Sequence, residues 1–307
     1  MTKCFAWALA LVLVFPGSSW GAEEKKADSS KPDEADQVIT NRRLRADAGS
    51  LSPWSASTFF NYQGGSIADP GKPERPNIVS GADALTLQNM TGEIGIRYRV
   101  TTFDSFTLST GLFMTTPFHD DIDTDNPVLE EEFERTHQKL TVNDPSLRYT
   151  RVGKLGPAQS VLFIKPKLIT NNQQKNAGYN ASYEILQQYM VAVPETRFSY
   201  GVGFLGTFYT FNNDNRFLAR NVWGVFPGIE YDINDTFNFR TIWGWQVYQN
   251  ARFQGRDTFT KRKVYQSMGL GISVTRDVFL YPNIQFIPSD LRSDRTNIAI
   301  SANVNVF

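Results

Sequence analysis

From residue 52 to the end of the chain, apolar residues recur at every second position. In 92–100, Ile94, Ile96, Tyr98 and Val100 share one face, with Glu93, Gly95, Arg97 and Arg99 on the other. At 267–274, Met268, Leu270, Ile272 and Val274 oppose Ser267, Gly269, Gly271 and Ser273. At 298–306, Ile298, Ile300, Ala302, Val304 and Val306 alternate with Ala299, Ser301, Asn303 and Asn305. A period of two marks strands with one apolar and one polar face. The pattern predicts strands near 52–62, 86–100, 105–116, 145–153, 158–169, 182–193, 198–210, 220–232, 237–249, 263–274, 278–287 and 296–307. Around 146–152 and 183–190 the alternation does not fix which face is apolar.

The connections say how these strands are arranged. Those at 101–104, 154–157, 194–197, 233–236 and 275–277 are short and carry turn residues such as Leu155-Gly156-Pro157 and Asn234-Asp235. Those at 63–85, 117–144, 170–181, 211–219, 250–262 and 288–295 are mostly longer and polar. Short and long connections in strict alternation imply a meander with every long loop at one end. That is the pattern of an all-β, antiparallel up-and-down transmembrane β-barrel of about 12 strands, with short periplasmic turns and long external loops. A tilted strand crosses a membrane with about 9–11 residues, and most of these segments reach that. Aromatic residues stand near strand ends (Trp54, Tyr62, Phe106, Phe198, Tyr200, Phe208, Tyr231, Phe237, Phe239, Tyr265 and Phe279), as in interfacial girdles.

The first 51 residues differ from all of this. Met1-Thr2-Lys3 is followed by an apolar stretch from Phe5 to Phe15, too short to span a bilayer, and then by a break at Pro16-Gly17. These features predict a signal peptide over 1–21, cleaved after Gly21. Residues 22–51 mix charges of both signs with Ser, Pro and Ala and hold too little apolar surface to offset their ordering entropy. They are expected to be a disordered periplasmic segment preceding a barrel at 52–307, with Arg42, Arg43 and Arg45 as a solvated basic cluster.

Composition removes several function classes. Thirty-one basic residues balance 31 acidic ones, which argues against a nucleic-acid partner. The only cysteine, Cys4, lies in the expected signal peptide, so the mature chain has no thiol-built metal site. No phosphate-binding loop, dinucleotide fingerprint or Cys/His metal spacing is present.

In its architecture from about residue 52, the chain resembles the outer-membrane β-barrels of Gram-negative bacteria, porins among them. It also ends in an aromatic residue, Phe307, like the C-terminal aromatic read by the barrel-assembly machinery. In the family that aromatic shares a face with the alternate apolar residues before it, whereas here Val306, Val304 and Ala302 are one position out of phase. The resemblance implies residence in the outer membrane after export, contact with membrane lipid, and assembly through the C-terminal strand.

Lumenal side chains are then the candidates for function. The inward set includes Glu93, Arg97, Arg99, Lys165, Lys167, Glu184, Gln188, Glu230, Arg240, Gln246, Asn283 and Gln285. Arg97, Arg99, Lys165, Lys167 and Arg240 can form a basic track favouring anions. Equally, they can pair with Glu93, Glu184 and Glu230 and brace the wall. The connection 117–144 is strongly acidic, and Asp121, Asp123, Asp125 and Glu132 have the spacing of a 12-residue calcium loop. Asn126 replaces the turn glycine there and Pro127 follows, so a solvated acidic loop is favoured over a Ca2+ site; no other cofactor is expected. A third reading has this loop folding into the mouth as a constriction.

Both histidines, His119 and His137, lie in the same connection, away from any strand serine. Three functions follow. The first is a porin-like channel for passive diffusion of small hydrophilic solutes, with anion preference if the basic track is open. The alternative is a closed structural or adhesive barrel acting through its loops. The third is a rim hydrolase, which would need one of the two histidines.

Overall fold

The computed structural model describes residues 34–212, 219–250, 258–261 and 264–306. The expected signal peptide and the terminal Phe307 lie outside them, as do residues 22–33. The barrel strands are β1 (Trp54–Ser66), β2 (Asn89–Arg99), β3 (Asp104–Thr115), β4 (Thr141–Leu155), β5 (Ala158–Leu168) and β6 (Tyr179–Ala192). They continue with β7 (Phe198–Phe211), β8 (Ala219–Asp232), β9 (Phe237–Asn250), β10 (Tyr265–Thr275), β11 (Val278–Phe286) and β12 (Asn297–Val306). Each pairs antiparallel with its neighbours in sequence, and β12 returns to β1 with Ala56 opposite Val306 and Tyr62 opposite Ile300. The sheet therefore closes as a 12-strand up-and-down barrel with no free edge. A short segment, Thr258–Lys261, extends the sheet beside the outer end of β9.

The predicted faces hold. Ile96 and Leu108 are 62% and 64% exposed, as lipid-facing residues must be, while Arg97 and Thr107 between them are buried inside. Two belts of aromatic pairs mark the membrane interfaces. Trp54–Tyr98, Phe106–Tyr149 and Phe198–Tyr231 lie near the short turns, and Phe208–Trp223 and Tyr179–Phe211 near the long loops. Two residues expected in these belts belong elsewhere. Phe279 is buried against Tyr281, and Tyr265 faces the interior, because both sit on the lumenal alternation of their strands.

β4 begins earlier than the alternation suggests. Pro145 has no amide hydrogen for the ladder, and the register slips where β3 meets β4. Asp144, at φ +56°, absorbs the slip. Its carboxylate accepts from the backbone amides of Thr170 and Asn171 at 2.8 and 3.1 Å, and from Lys167 Nζ at 3.3 Å.

The largest departure lies before the barrel. The segment expected to be disordered is ordered from Glu34 onward, as α1 (Glu34–Val38) and α2 (Arg42–Ala48). Asn41 caps α2, its side chain accepting from the Leu44 amide at 3.0 Å. This segment has too few apolar residues for a core of its own, but it does not need one. Ala35, Ile39, Leu44 and Ala48 pack against Val152, Val161, Phe163 and Met190 on the inner face of β4–β6, with Phe103 of the first short turn beside them. The segment is a plug inside the short-turn end of the barrel.

The long loops also carry local structure. Connection 67–88 contains a ribbon pairing Glu74–Pro76 with Leu85–Leu87, and a 3-10 turn at Ile78–Ser80. Ile78 and Ala82 of this loop pack with Ile287 and the inward-facing Tyr265. Connection 116–140 contains α3 (Pro127–Thr136), whose Leu129 and Phe133 are buried against Leu87 and Ile122.

Candidate functional site: a plugged lumen

The plug is held by two kinds of contact. Its apolar side rests on the β4–β6 patch, and its polar groups are bonded to strands on both sides of the barrel. On β5, Gln159 Oε1 accepts from the backbone amides of Thr40 and Asn41, both at 2.8 Å, while its Nε2 donates to Thr40 Oγ1 at 2.7 Å. On β8, Glu230 accepts from Asn41 Nδ2 at 2.7 Å and lies 3.5 Å from Arg43 Nε and 3.1 Å from Arg240 Nε. Arg43 also donates to Asp47 at 2.8 Å and to Gln188 at 2.9 Å. Across the lumen, β12 donates from Asn303 to Asp47 and from Asn305 to the Ala46 carbonyl.

The short turns complete the attachment. In the turn after β10, Arg276 donates to both carboxylate oxygens of Asp36, at 2.9 and 2.8 Å, and to the Gly49 carbonyl at 2.8 Å. Burial works against the Arg276 charge, but the Asp36 and Asp277 carboxylates outweigh it and hold its pKa above the ordinary guanidinium range. Arg97 and Arg99 reach the next two carbonyls, Ser50 at 3.3 Å and Leu51 at 2.6 Å. Three guanidiniums thus grip three successive carbonyls where the plug leaves for β1. Gly49 suits that position twice over. Its φ is +87°, and a Cβ there would overlap the Arg97 guanidinium. The basic cluster read as solvated is therefore built into the fastening: Arg42 donates to the Asn234 carbonyl at 2.6 Å, and Arg45 to Ile39 and Asp36 carbonyls.

Above the plug the lumen retains a cavity of about 540 Å³. Arg43, Ala46 and Asp47 of the plug contribute to its lining, together with the predicted Glu93, Lys165, Glu184, Glu230 and Arg240. The cations bordering it are paired. Lys165 Nζ lies 2.7 Å from Glu93 and 3.3 Å from Glu184, and Arg148 approaches Glu93 at 3.9 Å. Lys167 pairs with Asp144 at 3.3 Å. Of the two arrangements open from sequence, bracing describes these contacts. Arg97 and Arg99 stand apart from the cavity, under the exit of the plug. Gln188, Asn283 and Gln285 face the cavity as predicted, and the Gln246 side chain lies outside the described residues.

Asp47, Gln159 and Arg148 escaped the sequence reading, and Arg43 was read as solvated. Asp47 and Arg43 lay in a segment read as disordered. Arg148 lay in the stretch 146–152, where the alternation does not fix the faces, and Gln159 shares the inward parity of Lys165 and Lys167 without being singled out. The signal for the plug was present in the inward-facing Val152, Val161, Phe163, Leu186 and Met190, which make the lumenal face of β4–β6 too apolar for a water-filled bore.

The outer loop does not gather the four carboxylates whose spacing resembles a calcium loop. Among the described residues, no group of three or more carboxylate, imidazole or thiol side chains could hold a metal ion. Asn126 caps α3 and Pro127 occupies its first turn, so Glu132 is carried onto a helix while Asp121, Asp123 and Asp125 stay in the preceding loop. His119 Nε2 is 2.6 Å from the Gly71 carbonyl, and His137 Nδ1 is 2.8 Å from the Phe133 carbonyl, its ring stacked on that of Phe133. Each histidine is engaged by backbone rather than by a serine or carboxylate.

The fold is shared with a solved outer-membrane channel. A channel from Pseudomonas putida F1 aligns with a TM-score of 0.51 at 13% identity, over 85% of this chain and 97% of that one. The NanC porin aligns with a TM-score of 0.44 at 11% identity, over 82% and 98%. At these identities the likeness is one of fold. No protein-family model matches the sequence, and no curated protein matches it.

Proposed function

We propose that this chain is a porin-like channel of the outer membrane, admitting small hydrophilic solutes by passive diffusion and closed at its periplasmic end by its own N-terminal segment. The cavity of about 540 Å³ above the plug carries this reading. Eight strands leave an interior just filled by side chains, whereas twelve here enclose both a plug and open space. The plug is also dispensable to the wall, since every strand finds its ladder partners in its neighbours. Paired charges cancel around the cavity, so selectivity would come from Arg97 at the periplasmic end. Anion preference is accordingly a property of the unplugged state. Assembly machinery would engage β12 and Phe307.

The test is single-channel conductance and reversal potential of the refolded mature chain beside a variant lacking residues 34–50. Heat-modifiable electrophoretic mobility reports that each barrel is folded. The intact chain should open rarely, and the deletion should conduct in large, anion-favouring steps. A folded deletion variant that does not conduct would overturn the channel reading. It would favour instead a closed barrel acting through its loops, a reading to which the number of plug contacts lends support.

A further inference from the structure

We propose that a lumenal row formed by Ser55, Arg97, Thr107 and Arg148 is a binding site for a small oxyanion, partly filled in the closed state by the Ser50 carbonyl of the plug. The row is continuous across four strands. Ser55 stands opposite Arg97, Arg97 opposite Thr107, and Thr107 opposite Arg148. All four face inward along one cross-strand row, with Ser105 next to Thr107 on the same face of β3.

Polar atoms in this row lack partners. Ser55 Oγ, Arg97 Nε, Thr107 Oγ1 and Arg148 Nε, with Ser105 Oγ beside them, are buried without a hydrogen bond. Ser55, Arg97 and Thr107 are only 3%, 7% and 1% exposed. Native proteins rarely bury so many polar atoms unsatisfied in one place unless a water or an ion belongs there. Charge decides between these two. Lys165, Lys167, Arg43, Arg240 and Arg148 of the row itself each have a carboxylate partner. Among the described residues Arg97 has none, and its one hydrogen bond is to the Ser50 carbonyl at 3.3 Å. Water would satisfy the donors but leave the buried Arg97 charge without a carboxylate at ion-pair distance, a place that an anion would fill.

The donor set also fits an oxyanion. A guanidinium offers N–H groups in a fixed fork, and hydroxyl hydrogens can turn toward the same acceptor. The Ser50 carbonyl is an oxygen acceptor already seated against Arg97, so an oxyanion would compete with the plug for that guanidinium. The site goes beyond the channel reading and does not depend on it, since binding can be measured in a barrel that never conducts.

Titrating inorganic phosphate into the refolded full chain in detergent micelles, by calorimetry in an oxyanion-free, low-chloride buffer, tests it. Saturable one-to-one binding is expected, at least tenfold weaker in Arg97→Gln and several-fold weaker in Thr107→Val. Thr107→Val keeps the shape and removes a hydroxyl that has no partner in the fold, so it carries the test if Arg97→Gln does not fold. Absence of saturable binding to the folded chain would overturn the proposal. So would an unchanged affinity in a folded Arg97→Gln or in Thr107→Val.

Discussion

The two sides of the barrel hold the plug by different physics. On β4–β6 the contact is chiefly apolar: Leu44 and Ile39, essentially without exposed surface, press on Val152, Val161, Phe163 and Met190, joined by hydrogen bonds to Gln159 and Gln188. On β8, β12 and the turn after β10 it is made of carboxylates, guanidiniums and amides, with Arg240 of β9 backing Glu230. The apolar side supplies burial that salt does not screen but is indifferent to small shifts in position. The polar side fixes position, since each donor finds its acceptor in one pose, yet contributes little net energy because every group was solvated before docking. A plug fastened in this way has a hydrophobic seat and an electrostatic latch. The latch is the part that a change in solution conditions can reach.

Placing a charge in the seat should have the largest effect. Leu44→Asp buries a carboxylate among aliphatic side chains, a change expected to cost at least ~3 kcal/mol, enough to undock the segment. Limited proteolysis of the refolded chain should then cut within 34–50, leaving the barrel intact, and conductance should rise to that of the deletion variant. Protection equal to the parent's would mean that the seat does not hold the plug.

Arg43→Gln tests the latch. It removes the cation between Asp47 and Glu230 while Arg240 still faces Glu230, so the expected loss is about 1–3 kcal/mol. At about 1.4 kcal/mol per factor of ten, channel openings should become roughly tenfold more frequent. A double-mutant cycle with Glu230→Gln should show coupling of the two positions. Additive effects would place Arg43 outside the latch.

Asp36→Asn should have a smaller effect, about 0.2–1 kcal/mol, because Asp36 and Arg276 both retain some solvent contact. Raising ionic strength should shrink the difference between Asp36→Asn and the parent, by screening the pair, while leaving the Leu44→Asp effect in place. If salt altered both equally, the division into seat and latch would fail. Phe133→Ala completes the set. It should loosen α3 in the outer loop, seen as faster hydrogen exchange over 127–136, with no change in plug protection.

The same contrast explains what could be read in advance. Alternation in segments such as 92–100 and 298–306 was legible because lipid outside and polar groups inside impose opposite demands on neighbouring residues. Loop lengths then fixed the meander, and lumenal charges such as Glu93, Lys165 and Glu230 could be placed by parity alone. The alternation was ambiguous at 146–152 and 183–190, where Val152, Leu186 and Met190 face inward. Their partner is a segment more than a hundred residues earlier, and local pattern contains no information about it.

By itself, then, the sequence determined the strands, their order, the closed meander and the membrane-facing surface, because each depends on neighbours one or two positions away or on the length of a connection. Tertiary structure alone decided that residues 34–51 are ordered, that the basic cluster at 42–45 is part of a latch, and that the lumenal cations are mostly neutralised. It also decided that Arg97 has no carboxylate partner among the described residues. Such outcomes depend on which side chains meet across the lumen. A segment too polar to fold alone acquires its core and its counter-charges only from the barrel that encloses it.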